Sequence, residues 1–480
     1  MILHSIKITG FYGRKNPISI KFKDNYLICV GENGVGKSTI MKVLCYALTC
    51  QFAELNKYEF DTIILSLNNV NITIKKGLLN EFYKKTFEHF FIEMVEHPDA
   101  DTIRELRHRI PSQLFEEIAR DVYFGFCNFS TRYYNAPIST YTLHRCKEEI
   151  NSFKESYQHY YTPQDSELKS IEDIKTQIKN EIGDVVFLYL PTYRRIEQDV
   201  NTIFGVDFER TIANSRSVDN FEKYVEFGMN DVQKVWNDKE KELRDSFNRN
   251  NDKIRKEYYV DVLLSKYKNI DREKIKNLTS EDKTKVIKTI SEQENILLHQ
   301  IDESINNLKQ ETNEDRIDIH DRIVCHFFLK LLDSINTLEN KAQIITDYTN
   351  VCNKYLINKE LTYDSSSFKI SINLKNIELQ KDKNKIIDLS SLSSGEKQVV
   401  SLFCKLYLEG DDEGKNKRYF VLIDEPELSI SVGWQRMFLK DVIDSPKCEG
   451  LFAVTHSPFI FQGNELKKYR YELDITNKEE

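Results

Sequence analysis

The sequence predicts an α/β fold whose sheet draws strands from both ends of the chain, around a large, mostly helical insertion. Three observations carry that expectation. A strand-like run, Tyr26 to Val30, leads into a glycine-rich loop and then into a helical pattern. Apolar strand patterns reappear near the other end, above all Tyr419 to Ile423. Between these flanks, the stretch from Met229 to Ser394 contains neither glycine nor proline, the residues that most strongly interrupt helices.

At the start of the chain, Ile2 to Ile8, Ile18 to Phe22 and Tyr26 to Val30 read as short strands. These belong to a first segment, residues 1–80. The next segment, 81–360, is the expected helical insertion. Within it, Trp236, Leu243, Phe247, Ile254 and Tyr258 step by seven and four, and Leu297, Ile301, Ile305 and Leu308 by four, four and three, as on one apolar helix face. Fewer than about four clean heptads favour helices packed on each other over a coiled-coil seam, with a short antiparallel arm as the other reading. Ala119 to Phe129 and Phe153 to Tyr161 are aromatic-rich without clear periodicity and stay unplaced. In the last segment, 361–480, Phe368 to Leu374 and Tyr419 to Ile423 read as strands expected to share one sheet with the N-terminal ones.

The loop after Val30 reads Gly31-Glu32-Asn33-Gly34-Val35-Gly36-Lys37-Ser38-Thr39, which fits G-x-x-x-x-G-K-[ST] between a strand and a helix. Backbone N–H groups around Gly31, Asn33, Gly34 and Gly36 can converge on an anion that faces the positive end of the following helix. Lys37 can reach the β and γ phosphates of a nucleotide, Ser38 closes the motif and can ligate Mg²⁺, and Thr39 directly after it is a further nucleotide-binding candidate, so ATP and Mg²⁺ are the expected ligands. At the other end, the buried-strand pattern Tyr419 to Ile423 runs into Asp424-Glu425-Pro426-Glu427. Asp424 can join the Mg²⁺ shell, and Glu425 can orient and polarise a water in line with the γ phosphate. Ser393, Ser394 and Gly395 immediately precede a helix-like run, where hydroxyl and backbone donors can meet phosphate oxygens.

Through Leu392-Ser393-Ser394-Gly395-Glu396-Lys397-Gln398, the chain resembles the ABC-type ATPase heads of the SMC, RecF and OLD group, which carry an LSSGE-type signature. The order of motifs agrees: phosphate loop, signature, acidic strand end, then Ala453-Val454-Thr455-His456-Ser457-Pro458, similar to the family's switch-histidine segment. The resemblance is close at the two chain ends and slight between them. It implies an ABC-type P-loop ATPase head in which the signature of one subunit contacts ATP held by the other. It also implies that ATP closes paired heads, that Glu425 and His456 are catalytic, and that His456 senses the γ phosphate.

Within that group, Val186 to Glu197 and Asp424 to Ser429, leading to Trp434-Gln435, are similar to ATPases of prokaryotic antiphage systems. The AriA type of PARIS systems is the nearest likeness, followed by the PtuA type of Septu and retron systems. This implies a homo-oligomer built on a dimeric unit, a separate effector nuclease chain of TOPRIM or HNH type, and nucleic acid or a phage protein as trigger. Related OLD nucleases carry a TOPRIM domain after the switch histidine, and the segment after His456 is too short for one. Arg194 and Arg195 follow a strand-like run, where a role beside phosphate or nucleic acid and an ordinary surface ion pair are equally open.

Composition bounds the remaining possibilities. The 480 residues, 40% of them apolar, describe a soluble globular protein too long for a single core. The 16 Gly and 9 Pro fall well below average usage of about 7% and about 5%, which excludes collagen-like and low-complexity classes. A net charge of -8 gives no global attraction to nucleic acid or anionic membrane. The N-terminus lacks the parts of a secretory signal, and runs such as Val185 to Leu190 are too short to span a bilayer. No membrane association and a cytoplasmic location are therefore expected. The 9 Cys are scattered without metal-ligand spacing and read as core thiols. Two rivals to the defence ATPase remain: a DNA-repair ATPase of RecF or SMC type, and a nucleotide-locked scaffold with little turnover.

Overall fold

In the computed structural model, the described residues are 1–32, 34–97, 101–124, 133, 136–157, 166–190, 195–196, 217–218, 221–223, 226–227, 229–290, 294–311, 316–365, 367–375, 386–409, 417–428, 430–461 and 465–473. The strands, in chain order, are β1 (Leu3–Thr9), β2 (Ile18–Lys21), β3 (Tyr26–Val30), β4 (Thr62–Leu67), β5 (Val70–Lys75), β6 (Val185–Leu190), β7 (Arg195–Ile196), β8 (Ser217–Val218), β9 (Phe221–Lys223) and β10 (Glu226–Phe227). They continue as β11 (Lys359–Asp364), β12 (Lys369–Leu374), β13 (Ile386–Ile387), β14 (Arg418–Asp424), β15 (Cys448–Thr455) and β16 (Arg470–Glu472). The helices are α1 (Lys37–Leu48), α2 (Phe52–Leu55), α3 (Lys76–Glu96), α4 (Asp101–Arg109), α5 (Ser112–Tyr123), α6 (Thr140–Tyr157) and α7 (Ser166–Ile182). The later ones are α8 (Asn230–Leu263), α9 (Arg272–Lys276), α10 (Ser280–Ile290), α11 (Glu294–Gln310), α12 (Ile319–Asn353), α13 (Ser394–Phe403) and α14 (Val432–Ile443).

The central sheet has the order β16-β3-β15-β14-β6-β9-β8 and is parallel except at β8. Its inner strands β3, β15, β14 and β6 are apolar on both faces, as a covered parallel sheet requires. Leu27, Cys29, Phe187, Tyr189, Phe420, Leu422, Phe452 and Val454 pack toward α1 and the N-terminal strands. The alternate residues, including Ile28, Leu188, Val421, Ile423, Leu451 and Ala453, pack with α13 and α14 and with Trp236 and Tyr348.

Two expectations are corrected here. The flanking strands do not all share one sheet: β1 and β2 form an antiparallel sheet β2-β1-β4-β5, and β12 lies in the three-stranded sheet β11-β12-β13. Half-buried alternation, as in β1, specifies a strand and its inner face but not its partner. The insertion at 81–360 is also not separate from the head, because β6 lies beside β14 in the central sheet. Six consecutive apolar residues need cover on both sides, and a central parallel position supplies it.

The helical region has two parts. α3 to α6 surround an aromatic cluster of Phe87, Phe90 and Phe115, with Tyr123, Phe124 and Phe153 against it, which places the described part of the aromatic-rich segments. α8 and α12, of 34 and 35 residues, pair antiparallel: Trp236 Nε1 donates to Tyr348 Oη at one end, and Lys330 bonds Glu257 and Asp261 at the other. Each spans about 50 Å at the α-helical rise. The antiparallel arm is thus the arrangement formed, and Ile275, Val286, Ile301 and Ile305 of the short helices pack on α12 at its outer end. At its root, Tyr348 Oη donates to the carbonyl of Val400 in α13.

Candidate functional site

The registers of β3, β14 and β15 align their carboxyl ends: Val30 lies opposite Thr455, and Asp424 opposite Val454. In open parallel sheets this is the edge where ligands bind. The glycine-rich loop leaves β3 here and enters α1 at Lys37. Gly34 and Gly36 have φ of +82° and +89°, which residues with a Cβ rarely adopt, so the loop can turn tightly beneath a bound anion. The Gly36 carbonyl accepts from Ile40 N, the first turn of α1. Of the loop residues singled out in the sequence, Asn33 lies outside the described residues.

Lys37 is only 4% exposed. Its Nζ donates to the carbonyls of Gly31 and Glu32 at 2.8 and 2.7 Å and stands 3.4 Å from His456 Nδ1. An ammonium only donates, so that contact is a hydrogen bond when Nδ1 carries its lone pair. The ring proton is then on Nε2, which lies 3.9 Å from Glu425 Oε1. Burial lowers the Lys37 pKa, and nearby acids including Glu425, Asp424 and Glu427 oppose that shift. Ser38 Oγ donates to Asp424 Oδ1 at 2.7 Å. Thr39 follows within the first turn of α1. Beneath the site, burial raises the Cys29 thiol to about 12 and keeps it protonated at neutral pH.

Glu425 sits just past β14 with φ of 50°, a left-handed conformation that is strained for a glutamate. Its N–H donates to Val454 O at 2.9 Å, which fixes the turn against β15. The structure therefore brings Lys37, Ser38, Asp424, Glu425 and His456 together from chain segments far apart in sequence.

Ser393 does not join this convergence through its own bonds. It caps α13 in a capping box: its N–H and hydroxyl donate to Glu396 Oε2 at 2.8 and 2.9 Å, and its Oγ accepts from Glu396 N. Lys359 of β11 pairs with the same carboxylate at 2.7 Å. Burial pushes Glu396 up, but Lys359 and Ser393 outweigh it and hold its carboxyl below the usual range. Ser394 is exposed at the start of α13, and Gly395 behind it is buried. This leaves the outward face of the turn open to a molecule from outside the chain.

Sequence reasoning missed the residues that tie the site's two C-terminal loops together. Glu427 accepts from Thr455 Oγ1, His456 N and Ser457 N at 2.8, 2.7 and 3.1 Å. Gln435 of α14 accepts from Ser457 Oγ at 2.6 Å. Tyr189 of β6 was missed too; burial, with Asp424 nearby, raises its pKa. An acidic residue in a turn reads as solvated, so only the closeness of Glu427 to Glu425 in the sequence could have flagged it. Of the pair left open between a role beside phosphate or nucleic acid and a surface ion pair, Arg194 lies outside the described residues, and so does the side chain of Arg195.

Ser38 and Asp424 offer two hard oxygen donors side by side, the chemistry that Mg²⁺ prefers when phosphate and water complete its shell. The donor set therefore fits the ion. Among the described residues, no helix is long and apolar enough to cross a membrane.

A family model for the AAA ATPase domain matches residues 1–461. No curated protein matches the chain. Among solved structures, the chain is similar to an Smc head domain with an extended coiled coil, bound to the C-terminal domain of ScpA and derived from Pyrococcus furiosus. That likeness has 12% identity, covers 96% of this chain and 90% of the other, and has a TM-score of 0.31. It is also similar to an Smc head domain with a coiled coil and joint derived from Pyrococcus yayanosii, at 10% identity, with 96% and 93% covered and a TM-score of 0.28.

Proposed function

The chain belongs to the AAA ATPase domain family, and from that premise we propose that it binds and hydrolyses ATP at the junction of β3 and α1. The observation that carries this reading is the convergence of Lys37, Ser38, Asp424, Glu425 and His456 at one sheet edge. Lys37 and the loop N–H groups bind and orient the β and γ phosphates. Ser38 and Asp424 hold Mg²⁺, which neutralises charge on the phosphate oxygens when bound. Glu425 accepts a proton from the attacking water as its oxygen bonds to the γ phosphorus and the bond to the β–γ bridging oxygen breaks, leaving ADP and phosphate. His456 holds its ring beside both Lys37 and Glu425, where it can meet the γ phosphate.

In this reading two copies close head to head around ATP, with Ser393, Ser394 and Gly395 of each facing the nucleotide of the other. The open outer face of that turn supports it. The assembly is the ATPase part of a cytoplasmic antiphage complex that controls a separate TOPRIM or HNH nuclease, with nucleic acid or a phage protein as trigger. What supports this finer part is the likeness of the strings around Leu190 and Asp424 to such ATPases.

Phosphate release and light scattering on wild type, Glu425→Gln and Ser394→Arg test the proposal. Wild type should release phosphate, Glu425→Gln should bind ATP as a stable pair without turnover, and Ser394→Arg should bind ATP yet remain unpaired. Equal negligible release by wild type and Glu425→Gln would leave a nucleotide-locked scaffold instead. An unchanged oligomer in Ser394→Arg would remove the shared interface.

A further inference from the structure

We propose that Glu427 is the positioning residue for His456, acting as a carboxylate staple between the loop that follows β14 and the loop that follows β15. The inference rests on the reading of the site as an ATPase centre and adds a residue to which that reading gives no task.

The geometry is specific. Glu427 Oε1 accepts the backbone N–H groups of both His456 and Ser457, and Oε2 accepts the Thr455 hydroxyl. One side chain thus receives three donors from three consecutive residues of the other loop. Thr455 is fully buried, so its hydroxyl has no water to turn to. A second layer closes the ring. Ser457 Oγ donates to Gln435 Oε1, while Gln435 Nε2 donates to the carbonyls of Ile430 and Glu427 at 3.2 and 3.4 Å. Ser457 Oγ also accepts from Phe459 N, capping the short turn at Pro458–Ile460.

The consequence falls on His456. Its backbone is held at N, and its ring then reaches Lys37 on one side and Glu425 on the other. Glu425 is fixed by its own N–H bond to Val454. Glu427, two residues on, therefore sets the distance between the acid and the imidazole by binding the loop that carries the ring. Three hydrogen bonds converging on one side chain, one of them from a buried hydroxyl, are enough to hold one loop geometry against alternatives.

The staple needs acceptors at given places rather than a negative charge. In Glu427→Gln the amide oxygen can take the two backbone donors, while the amide NH2 donates to the Thr455 hydroxyl, which can accept as well as donate. In Glu427→Ala all three bonds are lost. In Glu427→Asp the charge remains but the acceptors are withdrawn by one methylene, so this variant serves where the alanine does not fold.

The test is steady-state ATP turnover of the full chain for these three variants, with Glu427→Ala repeated in a His456→Ala background, alongside amide exchange of His456 and Ser457. The expected result is a kcat lower by about 10²-fold in Glu427→Ala, with little change in KM, and most of the turnover restored in Glu427→Gln. Adding Glu427→Ala to His456→Ala should cost nothing further, which a merely structural role would not produce. Equal losses in both backgrounds, or wild-type turnover in Glu427→Ala, would overturn the proposal. If wild type turned over no ATP, the ATPase reading would fail by itself, and exchange would still decide this one. Slow amides in wild type and Glu427→Gln with fast ones in Glu427→Ala support the staple, and equal rates overturn it.

Discussion

Ser38 Oγ donates to Asp424 Oδ1 at 2.7 Å, joining positions 386 residues apart. The bond ties the first turn of α1 to the end of β14. It also places the two oxygens that can share a cation beside Lys37, whose ammonium is turned back onto the carbonyls of its own loop. On the proposed reading, a bound triphosphate would replace those carbonyls with phosphate oxygens as partners of Lys37.

Lys37→Ala should lower ATP affinity by about 10- to 100-fold, since a charged hydrogen bond contributes about 1.5–3 kcal/mol and each 1.4 kcal/mol is tenfold. Titration with a fluorescent ATP analogue checks it, and an unchanged affinity would remove Lys37 from the phosphate site.

Glu425→Gly should abolish phosphate release while stabilising the fold by about 1 kcal/mol, because glycine adopts the left-handed backbone at this position without the cost a glutamate bears. Chemical denaturation beside a phosphate assay reads both effects. A less stable glycine variant would show that the strain is absent.

Acid should loosen the outer end of the arm. Asp261 is 1% exposed, and hydrogen bonds from Lys330, His326 and Lys266 outweigh the upward push of burial, holding its pKa well below the usual carboxylate range. A carboxyl depressed in the folded state contributes stability fully above its unfolded pKa of about 3.9 and loses it progressively as pH falls from there toward its lower folded pKa. The protection of the Tyr258 to Leu263 amides, relative to the unfolded-chain exchange rate at the same pH, should fall below about pH 4 in wild type. Asp261→Ala, which leaves Lys330 to Glu257 and takes an acceptor from His326 and Lys266, should already lose protection at neutral pH, with a loss of about 1–3 kcal/mol. Equal protection at both pH values in wild type would contradict this.

At the root of the arm, Trp236→Ala removes a side chain only 2% exposed and should cost about 3–5 kcal/mol. Tyr348→Phe keeps the packing and loses the bonds to Trp236 Nε1 and Val400 O, so its cost should be nearer about 1–3 kcal/mol. Urea unfolding of both variants separates packing from hydrogen bonding, and equal losses would show that Tyr348 acts only by filling space.

The legibility of these features in the sequence follows the range of the physics behind them. The phosphate loop was readable because strand, loop and helix are adjacent, and each is set by local composition. Trp236 and Leu243 were found as an inner helix face because 3.6-residue spacing is also local. The partner of β1 was not readable, since alternation fixes a face and leaves the neighbour open. β6 was assigned to the insertion because nothing in Val185–Leu190 names β14 as its neighbour. Glu427 escaped because its three partners lie on a loop brought near only by the parallel pairing of β14 and β15.

The central claim is that the N-terminal loop and the acid at the end of β14 form one Mg²⁺·ATP site. Calorimetric titration of ATP with and without Mg²⁺, on wild type and Asp424→Ala, tests it most directly. Mg²⁺ should tighten ATP binding to wild type and give no gain in Asp424→Ala, while the metal-free affinities of the two stay alike. An equal gain from Mg²⁺ in both proteins would contradict the account.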